Sequence, residues 1–287
     1  MTTSASPATL RFSQVDVFSA SGLHGNPVAV VHDADGLAEE TMGAFARWTN
    51  LSETTFLLRP TDPAADYRVR IFTTGGELPF AGHPTLGSAH AWLEAGGVPR
   101  NPDRVVQECG VGLVPVRRGE RLAFAAPPLL RSGPVDAGQA AVVRQALGLH
   151  EEQVLQMGWV DNGPGWVGIE LVSAQEVLAV EPVLHLSGQL KAGLVGRWPD
   201  PEAAGKDVEV RAFYGDGVAF MEDPVTGSLN AGLAQWLVGQ GRLPDRYVAG
   251  QGSRLRRDGR VYVVSEAGEV WVGGDATVTV RGQVLLR

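Results

Sequence analysis

Cysteine is almost absent from this 287-residue chain, where Cys109 stands alone. One thiol excludes an intramolecular disulfide, a Cys-rich zinc site and a catalytic pair of thiols within one chain. Basic residues are outnumbered, 24 Lys and Arg against 32 Asp and Glu, for a net charge of −8. Broad nonspecific binding to nucleic acid or to an anionic membrane is therefore not expected, although a small anionic substrate at a local positive site is compatible with that balance. No apolar run approaches the ~18 residues of a membrane-spanning helix. Met1 to Leu10 is rich in Ser, Thr and Ala, without a basic region leading into an apolar core. A cytoplasmic location is expected, and the Asn50-Leu51-Ser52 sequon carries no meaning without a secretory signal. Walker A and GxSxG patterns are missing too, which removes sequence support for P-loop nucleotide or α/β-hydrolase chemistry. His24, His32, His90, His150 and His185 lack HExxH-type spacing, so no metal site is expected.

What is present describes a globular protein. Apolar residues make up 44% and charged residues 20%, which rules out a disordered or fibrous chain. At roughly 150 residues per domain the length allows two domains. The 37 glycines and 18 prolines are scattered, as suits many short elements joined by tight turns. Val, Ile and Phe-rich stretches read as strands at 14–18, 27–32, 55–58, 67–72, 111–116, 166–171, 208–213, 260–265, 269–272 and 277–280. Helical periodicity is confined to 39–49, 84–95, 139–147 and 224–239, so the class is α+β. Arg254, Arg256, Arg257 and Arg260 around Asp258-Gly259 read as a solvated hairpin with a tight Asp-Gly turn.

The chain also repeats itself. A shift of 140 residues lays His83-Pro84-Thr85-Leu86-Gly87-Ser88 over Asp223-Pro224-Val225-Thr226-Gly227-Ser228, with five identities in eleven positions from 83 to 93. Chance would give roughly one. Upstream, Arg70-Ile71-Phe72 faces Arg211-Ala212-Phe213 with a one-residue offset. A strand, loop and helix recurring in order imply two copies of one α+β unit.

Each copy has the grammar of a helix start, with Pro at the first helical position and His83 or Asp223 as the capping residue. A helix N-terminus carries free N–H groups and a positive dipole end, and Gly87, Ser88, Gly227 and Ser228 would let a ligand approach closely. Two such ends related by a pseudo-twofold axis would hold an anionic substrate in a cleft between lobes. His83 and Asp223 would meet it from either side.

The segments Gly25-Asn26-Pro27-Val28-Ala29-Val30, Asn50-Leu51-Ser52-Glu53-Thr54, Glu77-Leu78-Pro79-Phe80-Ala81-Gly82-His83-Pro84-Thr85, Glu222-Asp223-Pro224-Val225-Thr226-Gly227-Ser228 and Gln251-Gly252 resemble the PhzF-like isomerases, phenazine-biosynthesis-like proteins with the diaminopimelate epimerase fold. The resemblance runs in order from about residue 12 to the C-terminus. It implies two pseudo-symmetric lobes, each a curved, mostly antiparallel sheet wrapped around a central helix. The lobes are drawn at 1–117, completed by 278–287, and at 118–277. By the same resemblance Glu53 is the general acid/base, His83 and Asp223 are catalytic, and Gly82, Gly227, Ser228 and Gln251 bind substrate. It further implies a homodimer, no cofactor, and a reaction like that of trans-2,3-dihydro-3-hydroxyanthranilate isomerase, in which a proton moves between carbons of a small carboxylate.

The residue types suit that chemistry, since proton removal from carbon needs a base that can return it. Glu53, near Leu51 and Phe56, is the candidate. Relatives that racemise amino acids use two cysteines, one per lobe, and the single Cys109 excludes that route. Two rivals stay open: an epimerase of an amino-acid-like substrate using Glu53, His83 or Asp223 in place of thiols, and a non-catalytic member that keeps the site for an anion.

Overall fold

Nine strands fall in each half of the protein among the described residues, and they pair in the same order in both halves. The structure is a computed structural model that describes residues 8–183, 190–215 and 220–286, which leaves His185 and the first seven residues outside it. Two compact units result, Met1–Phe124 with Gly274–Arg287, and Ala125–Gly273.

The first unit runs β1 (Ala8–Val17), β2 (Asn26–Val31), α1 (Glu39–Thr49), β3 (Glu53–Leu58), β4 (Tyr67–Thr73), β5 (Gly76–Leu78), α2 (Gly82–Glu94), β6 (Arg104–Cys109), β7 (Gly112–Arg117) and β8 (Leu122–Ala125). The second runs β9 (Arg131–Pro134), α3 (Ala137–Leu147), β10 (Val154–Asp161), β11 (Val167–Leu171), α4 (Ala174–Ala179), β12 (Lys191–Arg197), α5 (Pro201–Ala204), β13 (Val208–Gly215), β14 (Phe220–Asp223), α6 (Gly227–Gly239), β15 (Arg246–Gln251), β16 (Gly259–Glu266) and β17 (Glu269–Gly274). The last strand, β18 (Ala276–Leu286), belongs to the first unit.

β1 pairs antiparallel with β2, β2 parallel with β3, β3 antiparallel with β4, and β4 antiparallel with β5 but parallel with β6. β6, β7 and β8 follow as an antiparallel meander. Substituting β10 to β17 for β1 to β8 reproduces every one of these pairings. The ninth strand completes the parallel: β18 runs antiparallel to β1 as β9 does to β10.

The strands of each unit enclose one buried helix. Nine of the 13 residues of α2 are buried, and it packs against β1, β2, β3, β6, β7 and β18. In α6, eight of 13 are buried. A helix apolar around most of its circumference has no face for solvent and must sit inside. Glycine makes room for it: a Cβ on Gly87 would lie 2.4 Å from Val28 Cγ1, and one on Gly193 of β12 would lie 2.2 Å from Leu229 Cδ1. Gly193 and Gly196 also leave Lys191-Ala192-Gly193-Leu194-Val195-Gly196-Arg197 without the Val, Ile and Phe-rich composition of the other strands. Aromatic packing fills the outer layer of the first unit, with Phe45 of α1 against Phe56 and Phe56 edge-on to Phe72.

The sequence expectation needs three corrections. The N-caps are Ala81 and Thr226, not His83 and Asp223, and neither cap uses its side chain for that purpose. Pro84 is the third helical residue of α2, a position whose N–H needs no intrahelical partner. Asp223 closes β14 opposite Ala212, and Pro224-Val225-Thr226 link it to the helix. The repeat is thus in register at 145 residues here, since α2 starts at Gly82 and α6 at Gly227. Lastly, β15 and β16 pair from Gln251 opposite Gly259, so the Arg-rich segment is a longer loop holding a 3-10 turn, Ser253–Leu255, and no two-residue Asp-Gly turn. No helix of the described residues is long and apolar enough to cross a membrane.

Candidate active site

In the first unit, α1 ends at Asn50, whose φ of 55° and N–H to the Ala46 carbonyl form a left-handed C-cap. Asn tolerates that conformation because its short side chain bonds locally, so the sequon Asn is a helix stop. The chain reverses through Leu51 and Ser52, and Glu53 opens β3 in parallel register with Val28. His83 is the second residue of α2. Its Nδ1 lies 2.9 Å from Glu53 Oε2, with the His83 side chain 5% and the Glu53 side chain 16% exposed. The two residues that sequence alone could not join are a hydrogen-bonded pair. Gly82 beside them is pressed by an aromatic ring, for a Cβ there would sit 2.3 Å from Phe124 Cζ. Gly87 and Ser88, expected in the first turn, are the sixth and seventh residues of α2. Gly87 packs on Val28, and the Ser88 hydroxyl donates to Thr55 Oγ1 at 2.9 Å in the core.

In the second unit, Gly227 and Ser228 form the start of α6, the places that Gly82 and His83 hold in α2. Ser228 is held at both ends. Trp166 Nε1–H donates to its Oγ at 3.0 Å and Asn162 Nδ2–H to its carbonyl at 2.9 Å. Asp223 Oδ2 accepts from Thr226 Oγ1 at 2.5 Å. Gln251, fully buried at the end of β15, turns its amide to the 223–226 loop: Oε1 accepts from Thr226 N–H at 3.1 Å, and Nε2 donates to the Asp223 carbonyl at 3.1 Å. Glu53, His83 and Gly82 therefore gather at one place in the first unit, and Asp223, Gly227, Ser228 and Gln251 at one place in the second.

Each unit also holds an ion pair in which an Arg of the central strand grips a Glu of the short one. Arg70 takes Glu77 through Nε and Nη2 at 2.7 and 2.5 Å, and Arg211 takes Glu222 likewise at 3.0 and 2.8 Å. Such bidentate pairs fix planar geometry. They set the direction of β5 and β14, and hence of the links into α2 and α6. Register 145 lays Glu77-Leu78-Pro79-Phe80-Ala81-Gly82 over Glu222-Asp223-Pro224-Val225-Thr226-Gly227, with Glu, Pro and Gly shared, a signal that a single shift of 140 hides. Symmetry stops at chemistry: where β3 opens with Glu53, β12 opens with Lys191.

Other groups lie elsewhere. Cys109 is half-buried, and burial pushes its thiol up, away from the thiolate form. A surface groove of about 340 Å³ in the second unit, lined by Leu155, Glu170, Arg197 and Arg242, contains none of the expected site residues. Among the described residues no group of three His, Cys, Asp or Glu is placed to hold a metal ion.

A family model described as phenazine biosynthesis-like protein, PhzC-PhzF, matches residues 15–284. The chain is 35% identical to "Antisense-enhancing sequence 1" of Schizosaccharomyces pombe over 95% of its own length and 97% of that protein's. It is 33% identical to the trans-2,3-dihydro-3-hydroxyanthranilate isomerase of Pseudomonas aeruginosa, over 96% and 99%. The solved structure of a predicted epimerase from Pseudomonas aeruginosa matches with a TM-score of 0.77 at 28% identity, over 96% of this chain and 99% of that one.

Proposed function

The chain belongs to the phenazine biosynthesis-like family of isomerases, and on that premise we propose that it moves a proton between carbons of a small carboxylate-bearing substrate without a cofactor. The observation that carries this reading is the pair of Glu53 Oε2 and His83 Nδ1 at 2.9 Å. His83 holds one carboxylate oxygen in place and leaves the other to act. Glu53 takes a proton from carbon, the C–H electron pair enters the adjacent unsaturation, the double bond moves, and Glu53 returns the proton at the far carbon. The first-turn N–H groups of α6 and the Ser228 hydroxyl are donors suited to a substrate carboxylate. Asp223 lies in the same unit as those donors.

The test is proton exchange in D₂O, read by NMR, with trans-2,3-dihydro-3-hydroxyanthranilate, the substrate in the relative's name. Carbon-bound deuterium with double-bond migration is expected. Glu53→Gln should lower that rate by at least ~10²-fold, the typical contribution of a positioned acid/base, with the melting temperature unchanged. Near-normal exchange in Glu53→Gln would show the base to be misassigned. Deuterium at a stereocentre without double-bond migration would instead make the protein an epimerase.

A further inference from the structure

Two backbone groups determine how the buried Gln251 amide points. The Thr226 N–H can only donate, so the atom 3.1 Å from it is the amide oxygen. The Asp223 carbonyl can only accept, so the atom 3.1 Å from it is the amide nitrogen. Asn230 Nδ2 confirms the sense by donating to Gln251 Oε1 at 2.9 Å and to the Thr226 carbonyl at 2.9 Å. The second N–H of Gln251 then donates to Thr226 Oγ1 at 3.0 Å. With that proton received, the Thr226 hydroxyl directs its own proton onto Asp223 Oδ2, 2.5 Å away. One side-chain relay therefore runs from Asn230 Nδ2 to Gln251 Oε1, from Gln251 Nε2 to Thr226 Oγ1 and from Thr226 Oγ1 to Asp223 Oδ2. The loop carrying it has no slack, since a Cβ on Gly252 would lie 2.7 Å from the Pro224 carbonyl and one on Gly259 2.4 Å from Val225 Cγ2.

We propose that Gln251 and Thr226 are positioning residues that fix the Asp223 carboxylate as a hydrogen-bond acceptor for an N–H or O–H donor on the substrate. The proposal rests on the isomerase reading and adds a recognition element to it: a carboxylate alone does not satisfy the site, and the substrate carries a donor as well. Charge-assisted bonds of this kind are shorter and stronger than neutral ones, and a run of donors polarises its members in one direction.

Calorimetry on the full chain tests this without turnover, using anthranilate, which has a carboxylate and an amino donor, and benzoate, which has the carboxylate alone. Wild type should prefer anthranilate. Thr226→Val should weaken anthranilate roughly tenfold to a hundredfold, as expected for one bond to a charged group, and leave benzoate unchanged. Thr226→Ser should restore the preference, and Thr226→Val should add nothing in an Asp223→Ala background. Structural damage would weaken both ligands together. Equal losses for the two, no loss for anthranilate, additivity with Asp223→Ala, or a wild type without preference would each overturn the proposal. A preserved preference with no deuterium exchange would sink the isomerase reading and leave the positioning roles standing.

Discussion

Gly82 shows how tightly one residue can be bound to its surroundings. The residue class suggests a place for a ligand, but the space a side chain would occupy belongs to the Phe124 ring, which is itself fully buried and edge-on to Phe80. Gly82→Ala should cost about 1–3 kcal/mol, the usual range for overpacking, read as a lower urea midpoint. Because His83 follows directly, the same change should also lower turnover, whereas a Gly82 that served only to admit ligand would leave the midpoint where it was. Ser228 makes the complementary point. The indole N–H of Trp166 occupies an acceptor site on its oxygen, and that partner lies 62 residues away in sequence. Nothing in the local pattern around Ser228 could name it.

Among elements, the two Arg–Glu pairs are one device at two depths. Arg211 and Glu222 side chains are 3% and 11% exposed, and Arg211 also donates to the Val177 and Val180 carbonyls at the end of α4. Arg70 and Glu77 are 19% and 37% exposed, with Glu39 of α1 as a second partner. Breaking a buried pair strands a charge and costs about 3–5 kcal/mol, while an exposed one contributes about 1 kcal/mol or less. Glu222→Gln should therefore destabilise far more than Glu77→Gln in parallel denaturant titrations; equal losses would show that burial does not separate the two copies. The elements also mark where sequence was legible. Helix α1 falls at 39–49 as its periodicity predicts, because apolar spacing and the Asn50 stop agree. The start of α6 was not legible, because Asp223-Pro224 is a good helix opening locally and β14 captures Asp223 through its pairing with β13. The roles of Thr226 and Asn230 are likewise not legible in sequence. A buried Thr and Asn are ordinary in sequence, and only the return of β15 beside the loop gives them a role.

For the whole molecule, the last strand matters most. β18 pairs along the full length of β1, from Ala8 opposite Leu286 to Val17 opposite Ala276, with one bulge at Gln14 and Val15. β1 also pairs antiparallel with β2 and contacts the central helix α2. Deleting residues 276–287 should expose a long unpaired edge and unfold the first unit. Hydrogen exchange should show lost protection in β1 and α2, with β10 to β13 retained; uniform protection would mean that β18 is dispensable. The sequence by itself determined the α+β class and the recurrence of one strand-loop-helix pattern, because apolar periodicity and repeated motifs are local and survive in one dimension. Tertiary structure alone decided the rest: that Glu53 meets His83 across 30 residues, that the repeat closes at 145 at the helix starts, and that Gln251 turns its amide onto the Asp223 loop. Those are long-range pairings, set by which strand lies beside which helix, and a lone cysteine or a Pro-Gly spacing carries no record of them.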